Sequence, residues 1–248
     1  DDIDLKEEQG DGFSQFLAEY RYFKVDNGIV LPTRGNGRLR ASVPDAEIVG
    51  TADYSYLGPI GASNTGNQQG NGVITEEGAQ LSTSLNTNSD GKGSVDASDN
   101  SSWQYRSRNW WNYDKNRGEA WIVEFSTQGI TKQLSLQLST MNWQSNGAPR
   151  YWNVEWSTHG DMDGNWTYIN SYTVPDVVNW SNTLMHQLPG QKAVDFLLPT
   201  ELLGKEKVFI RLIVAKNAAS NGQSYADSPI STGLIGNVLG YLSIRYNK

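Results

Sequence analysis

The stretch "EAWIVEFSTQGITKQLSLQLSTMNWQSNGAPRYWNVEWS" (119–157) decides the fold class. Its first segment puts Trp121, Val123 and Phe125 on one side and Ile122 and Glu124 on the other. The second sets Leu134, Leu136 and Leu138 against Ser135, Gln137 and Ser139, and the third sets Trp152, Val154 and Trp156 against Tyr151, Asn153 and Glu155. Successive side chains of a strand point to opposite faces, so this period of two predicts three half-buried β-strands. Asn146-Gly147 and Pro149 supply the turn chemistry between the last two.

The same pattern continues outward in both directions. Asp163-Gly164 closes a hairpin into "WTYINSYTV" (166–174), and "AVDFLLP" (193–199), "KVFIRLIVA" (207–215) and "GYLSIRYN" (240–247) follow. Upstream, "GRLRASV" (37–43) alternates Leu39, Ala41 and Val43 with Arg38, Arg40 and Ser42, and "AEYRYFKV" (18–25) predicts a short strand. "PTELLGKE" (199–206) has room for a single helical turn. Strands at this spacing predict an all-β fold, an antiparallel jelly-roll β-sandwich with long loops. Residues 1–17 read as a flexible acidic leader and 18–248 as one domain. Within it, 41–116 is loop-rich and 118–248 regular.

At 248 residues with no cysteine, the chain is long enough to bury a core without disulfides, and it has no thiolate metal site. A net charge of −7 and scattered basic residues disfavour nucleic acid and anionic membranes as partners. No segment reaches the roughly 18 apolar residues of a membrane span.

Chemistry-bearing motifs are sparse. His159 lies at a hairpin tip and His186 in "TLMHQLPG", and neither belongs to a nucleophile–base set. "DMDGN" (161–165) alternates oxygen donors as a calcium loop does, but Asn170 stands six places after Gly164, where such a loop has Glu. The stretch reads first as a turn, with a structural calcium ion as the lesser alternative. No cofactor, metal ligand or catalytic residue is nominated. Glu124 and Glu155, predicted outward with Arg211 and Arg245 on other strands, form a polar face that leaves a paired-carboxylate glycosidase open as an alternative.

The aromatics divide by period. Trp121, Trp152 and Trp156 belong to the core, and Trp166 packs across its hairpin. In "SRNWWNYDKN" (107–116), however, Trp110, Trp111 and Tyr113 have no strand period to explain them, and they stand beside Arg108, Asn109 and Asn112. "MNWQSNGAPRYW" (141–152) repeats the mixture with Trp143 and Arg150. Sugar rings present apolar C–H faces to aromatic planes and hydroxyls to amides and guanidinium groups, so these eight residues are the candidate ligand-binding set.

The succession "GEAWIVEFSTQG", "LSLQLST", "GAPRYWNVEWSTHG", "GNWTYI", "KVFIRLIV" and "STGLIGNVLGYLSI" resembles a recurrent β-sandwich domain of secreted and surface-lipoprotein chains in Bacteroides-type bacteria. The resemblance covers about 118–246. It implies a galactose-binding-like jelly roll in a secreted or outer-membrane surface-anchored protein that takes part in polysaccharide capture. The acidic leader is similar to the stretch after the lipid-bearing cysteine of such lipoproteins, so any membrane attachment runs through a trimmed lipid anchor. The hairpin "STHGDMDGNW" is longer than the family's turn, and 41–116 has no counterpart in it. The expected function is non-catalytic binding of a glycan or polysaccharide. The alternatives are a glycoside hydrolase or lyase, and a protein-binding scaffold or adhesin.

Overall fold

A computed structural model describes residues 15–20, 25–26, 29–30, 32, 34–43, 47–49, 104–142, 148–174, 191–218 and 235–246. The N-terminal part forms β1 (Gln15–Tyr20), β2 (Val25–Asp26), β3 (Ile29–Val30), β4 (Arg34–Gly35), β5 (Arg38–Ala41) and β6 (Glu47–Val49). Then come β7 (Gln104–Arg108), the short pair β8 (Trp111–Asn112) and β9 (Arg117–Gly118), β10 (Ala120–Phe125) and β11 (Leu134–Asn142). The rest is β12 (Tyr151–Ser157), β13 (Thr167–Thr173), β14 (Gln191–Leu197), one 3₁₀ turn at Thr200–Leu202, β15 (Val208–Val214) and β16 (Ile235–Tyr246).

Two seven-stranded antiparallel sheets and the β8–β9 hairpin account for these strands. The first sheet runs β14-β11-β16-β1-β4, with β7 also on β16 and β6 on β7. The second runs β13-β12-β15-β10-β5-β3-β2. From β10 to β16 the chain passes repeatedly between the sheets, which is the winding expected of a jelly roll. The predicted all-β antiparallel sandwich is therefore the observed architecture.

One apolar cluster fills the space between the sheets. The second sheet contributes Trp121, Val123, Trp152, Val154, Ile210 and Leu212, and the first contributes Leu134, Leu136, Leu138, Leu242 and Ile244. The predicted inward faces of β10, β11 and β12 thus meet one another, although Trp156 is only half-buried against the cluster. A register shift in the β11–β16 pairing separates Thr140↔Leu239 from Ser139↔Tyr241. The extra residue, Gly240, switches the phase of β16, so that Asn237 and Leu239 and then Leu242 and Ile244 turn inward. Buried Asn237 bonds across the core, accepting from Trp121 Nε1 at 2.8 Å and donating to Thr140 Oγ1 at 2.9 Å.

Three boundaries and faces differ from the sequence reading. β1 starts at Gln15, three residues inside the segment assigned to the leader, because Gln15 and Phe16 pair with Tyr246 and Arg245 on β16. The guanidinium groups of Arg34 and Arg245 lie 4.5 and 4.7 Å from the Phe16 ring, which anchors the start of the strand. Arg245 itself is buried on the first sheet and bonds Tyr241 Oη at 2.9 Å. It therefore shares no polar face with Glu124, Glu155 and Arg211 of the second sheet. Lastly, Ser135 and Gln137, set on the polar side of β11 by the sequence pattern, are buried, as are Tyr241 and Ser243 on β16. Of the leader, residues 1–14 lie outside the described residues, as do most of 41–103 and His186.

The outer face of the second sheet carries a further apolar cluster, formed by Ala120, Ile122, Phe209 and Ile213 under Met162 and Trp166. The connection between β12 and β13 thus folds back over the sheet. Gly160 permits this with φ +72°, and a Cβ there would stand 2.5 Å from the Phe209 ring.

Candidate functional site

Backbone hydrogen bonds gather the nominated segments at one end of the sandwich. Glu119 N–H donates to Trp110 O (2.8 Å), Val214 N–H to Glu119 O (3.1 Å), and Ala215 N–H to Tyr151 O (2.8 Å). The hairpin after β7, the start of β12 and the end of β15 are thereby stitched into one surface. Gly118 allows the closest approach, since a Cβ at that position would lie 2.0 Å from Val214 O.

The described members of the nominated set are placed differently. Trp110 is 1% exposed and belongs to the core, which withdraws it from the ligand set. Its ring lies 4.8 Å from that of Trp121 and 5.1 Å from that of Trp152, and its Nε1–H donates to Ser107 O at 2.9 Å. The cause is Asn109, whose φ of 64° turns the chain so that the next residue points inward. Trp111 is half-buried against the same core. Asn112 is engaged within the protein: its Nδ2 donates to Glu119 (2.9 Å), and its Oδ1 accepts from the Lys115 backbone N–H (2.9 Å). Tyr113, at 56%, is an exposed aromatic at the hairpin tip. Arg108 is described through its backbone on β7, and Trp143 lies outside the described residues.

Arg150, nominated with Trp143, leads to a site that the sequence reading did not identify. Beside it lies a cleft of about 500 Å³, between the β12–β13 part of one sheet and β14 of the other. Trp152, Tyr172, Val194 and Phe196 provide its apolar lining. Trp152 and Tyr172 stack with their planes 3° apart, and burial holds the Tyr172 phenol well above its ordinary pKa. Asn153, Ser171 and Thr173 place an amide and two hydroxyls at the same cleft. Tyr151 and Lys216 complete it, with the Lys216 ammonium 5.0 Å and the Arg150 guanidinium 5.6 Å from the centre of the Tyr151 ring. Among the described residues no carboxylate lines this cleft. The alternation of "RYWN" marks Tyr151 and Asn153 as the face opposite the core, which was the available signal.

The acidic groups considered for catalysis or metal binding lie elsewhere, and Glu124, Glu155 and Asp163 each stand beside a cation. Glu155 accepts from Arg211 at 2.8 Å, and Arg211 also donates to Met162 O and lies 4.2 Å from the Trp166 ring. Burial lowers the Arg211 pKa and Glu155 opposes that; a guanidinium stays charged regardless. Glu124 pairs with Lys207 at 3.4 Å. The register puts Glu124 opposite Phe209 and Glu155 opposite Arg211, on strands flanking β15. Two strand spacings and a two-residue offset put their Cα atoms on the order of 12 Å apart. In the "DMDGN" turn, Asp163 accepts from Arg117 Nε (2.7 Å) and Lys115 Nζ (3.2 Å). Those cations hold its carboxyl below the usual aspartate value. Asp161 accepts from the Asp163 backbone N–H, so the turn uses its carboxylates to shape backbone and bind cationic side chains. Among the described residues no group of three or more His, Asp or Glu side chains is placed to hold a metal ion. No described helix is long and apolar enough to cross a membrane.

No protein-family model and no curated sequence matches the chain. Among solved structures it is similar to the K1 cleaved adhesin domain of Lys-gingipain from Porphyromonas gingivalis W83, with a TM-score of 0.38, 10% identity, and coverage of 86% of this chain and 100% of that one. The K2 cleaved adhesin domain of Lys-gingipain gives a TM-score of 0.39 at 10% identity, covering 93% and 98%. A chitosan-binding module from a Paenibacillus sp. IK-5 chitosanase/glucanase gives 0.24 at 13%, covering 58% and 76%. These likenesses are remote, and the reading of the site rests on the residues of this chain.

Proposed function

We propose that this chain is a non-catalytic carbohydrate- or glycoconjugate-binding module of a secreted or cell-surface protein, and that its ligand lies in the cleft beside Tyr151. One observation carries the reading: in a cleft of about 500 Å³, the apolar surfaces of Val194 and Phe196 adjoin the polar groups of Asn153, Ser171 and Thr173. A saccharide needs this pairing, with apolar surface for its C–H faces and directed donors and acceptors for its hydroxyls. The non-catalytic part rests on the described lining, which among those residues offers no carboxylate for acid–base work, and on the separate ion pairs of Glu124 and Glu155. Tyr113 and Trp111 extend the same end of the sandwich as a second contact for a longer chain.

The test is a glycan array and affinity gels, run on the unaltered protein, on Tyr151→Ala/Asn153→Ala, and on Ser171→Trp, which fills the cleft from an exposed position. The unaltered protein is expected to retain a subset of glycans, and both variants to lose them while keeping its melting temperature. If no glycan is retained, or if Ser171→Trp binds as the unaltered protein does, the reading fails.

A further inference from the structure

Among the described residues Lys216 is the charged side chain lining the cleft, in a protein whose net charge is −7. It makes no ion pair among the described residues, and the described carboxylates Glu119, Asp163 and Glu155 bind other cations. Glu119 is held by Arg117 at 3.1 Å, Asp163 by Arg117 and Lys115, and Glu155 by Arg211. The position of Lys216 is fixed by the backbone. Ala218 N–H donates to Lys216 O, Arg150 N–H donates to Ala218 O, and Ala215 N–H donates to Tyr151 O. These bonds hold Lys216, Arg150 and Tyr151 together, and both cationic groups lie within 5.6 Å of the one phenol ring. An aromatic face offsets part of the repulsion between two such cations. An anion at the Lys216 ammonium adds charge-assisted hydrogen bonds, which are the stronger kind.

From this geometry we infer that the cleft selects anionic saccharides, those bearing a carboxylate or a sulfate, with Lys216 and Arg150 gripping the anionic group. The inference rests on the saccharide-binding reading above and adds the class of ligand. The potential also runs against the protein's overall charge. A net charge of −7 disfavours a general attraction to polyanions, so the proposed recognition is local to the cleft.

The experiment measures binding of the whole chain to polygalacturonate and its carboxyl-reduced form, and to dextran sulfate and dextran, with a neutral glycan panel alongside. The expected result is retention of one or both anionic polymers and loss of retention by their neutral counterparts. Lys216→Gln is expected to weaken the anionic complex about tenfold, the scale of one charge-assisted bond at a partly exposed site. Lys216→Arg restores it, and raising the salt concentration weakens it further. The two polymer pairs separate carboxylate from sulfate as the group recognised. If neutral glycans are held in the cleft and Lys216→Gln changes nothing, the inference is overturned while the saccharide reading stands. Anionic binding that ignores both Lys216→Gln and Ser171→Trp places the anion elsewhere and also overturns it. If no glycan of either kind binds, the saccharide reading itself falls.

Discussion

Trp110 and Tyr113, three residues apart, show how one turn separates core from surface. The Trp110 indole fits between those of Trp121 and Trp152, with its N–H satisfied by Ser107 O, whereas the Tyr113 ring is more than half exposed. Removing a fully buried tryptophan takes away its burial and leaves a cavity. Trp110→Ala should therefore cost about 3–5 kcal/mol of stability. Tyr113→Ala, at an exposed tip, should stay within about 0.5 kcal/mol. Denaturant midpoints of the two variants check this directly, and equal midpoints would contradict the core assignment. On strands, sequence alone separates such residues, since Trp121, Trp152 and their neighbours alternate with polar residues. At the corner before β8 that rule has no purchase, because the direction of Trp110 depends on the left-handed backbone of Asn109. The signal lay in Asn109 itself, a residue type that tolerates positive φ.

At the level of elements, the β12–β13 connection and the β8–β9 hairpin are coupled through Asp163. That carboxylate accepts from both Lys115 and Arg117, and burial, which lowers the Arg117 pKa, is outweighed there by Asp163 and Glu119. Asp163 thus has a lower pKa folded than unfolded. Its contribution is present above the ordinary aspartate value and is lost as pH falls through the folded one. In an NMR titration, the hairpin amides of 113–117 should shift together in acid, below the usual aspartate range, and Asp163→Asn should abolish that step. Because Asp163 is exposed, the step should move toward the ordinary value in high salt. A hairpin transition that persists in Asp163→Asn would show that the coupling lies elsewhere. The lid itself was partly legible: "VFIRLIV" is apolar at both phases, as a strand covered on both faces must be, and all seven residues are buried. The cover could not be assigned, since nothing in "STHGDMDGNW" reveals that Met162 and Trp166 fold back over Phe209.

For the whole molecule, the two sheets share one core and exchange strands repeatedly, so neither has an apolar interior of its own to fold around. A polar contact reinforces the join, because Trp121 on β10 donates to Asn237 on β16, which also bonds Thr140 on β11. Unfolding is therefore expected to be a single transition, with tryptophan fluorescence and far-ultraviolet circular dichroism coincident. Asn237→Ala removes a buried hydrogen-bond partner of the Trp121 N–H and of the Thr140 hydroxyl, at a cost of about 1–3 kcal/mol. The effect separates a shared core from two sheets that merely touch. Fluorescence reports the nine tryptophans, with Trp110, Trp121 and Trp152 among them buried in the core, whereas circular dichroism reports strands throughout. In a shared core, Asn237→Ala lowers both midpoints by the same amount, although the altered side chain sits on the first sheet and the indoles on or beside the second. A fluorescence midpoint that falls while the dichroism midpoint stays would mean that the sheets unfold separately.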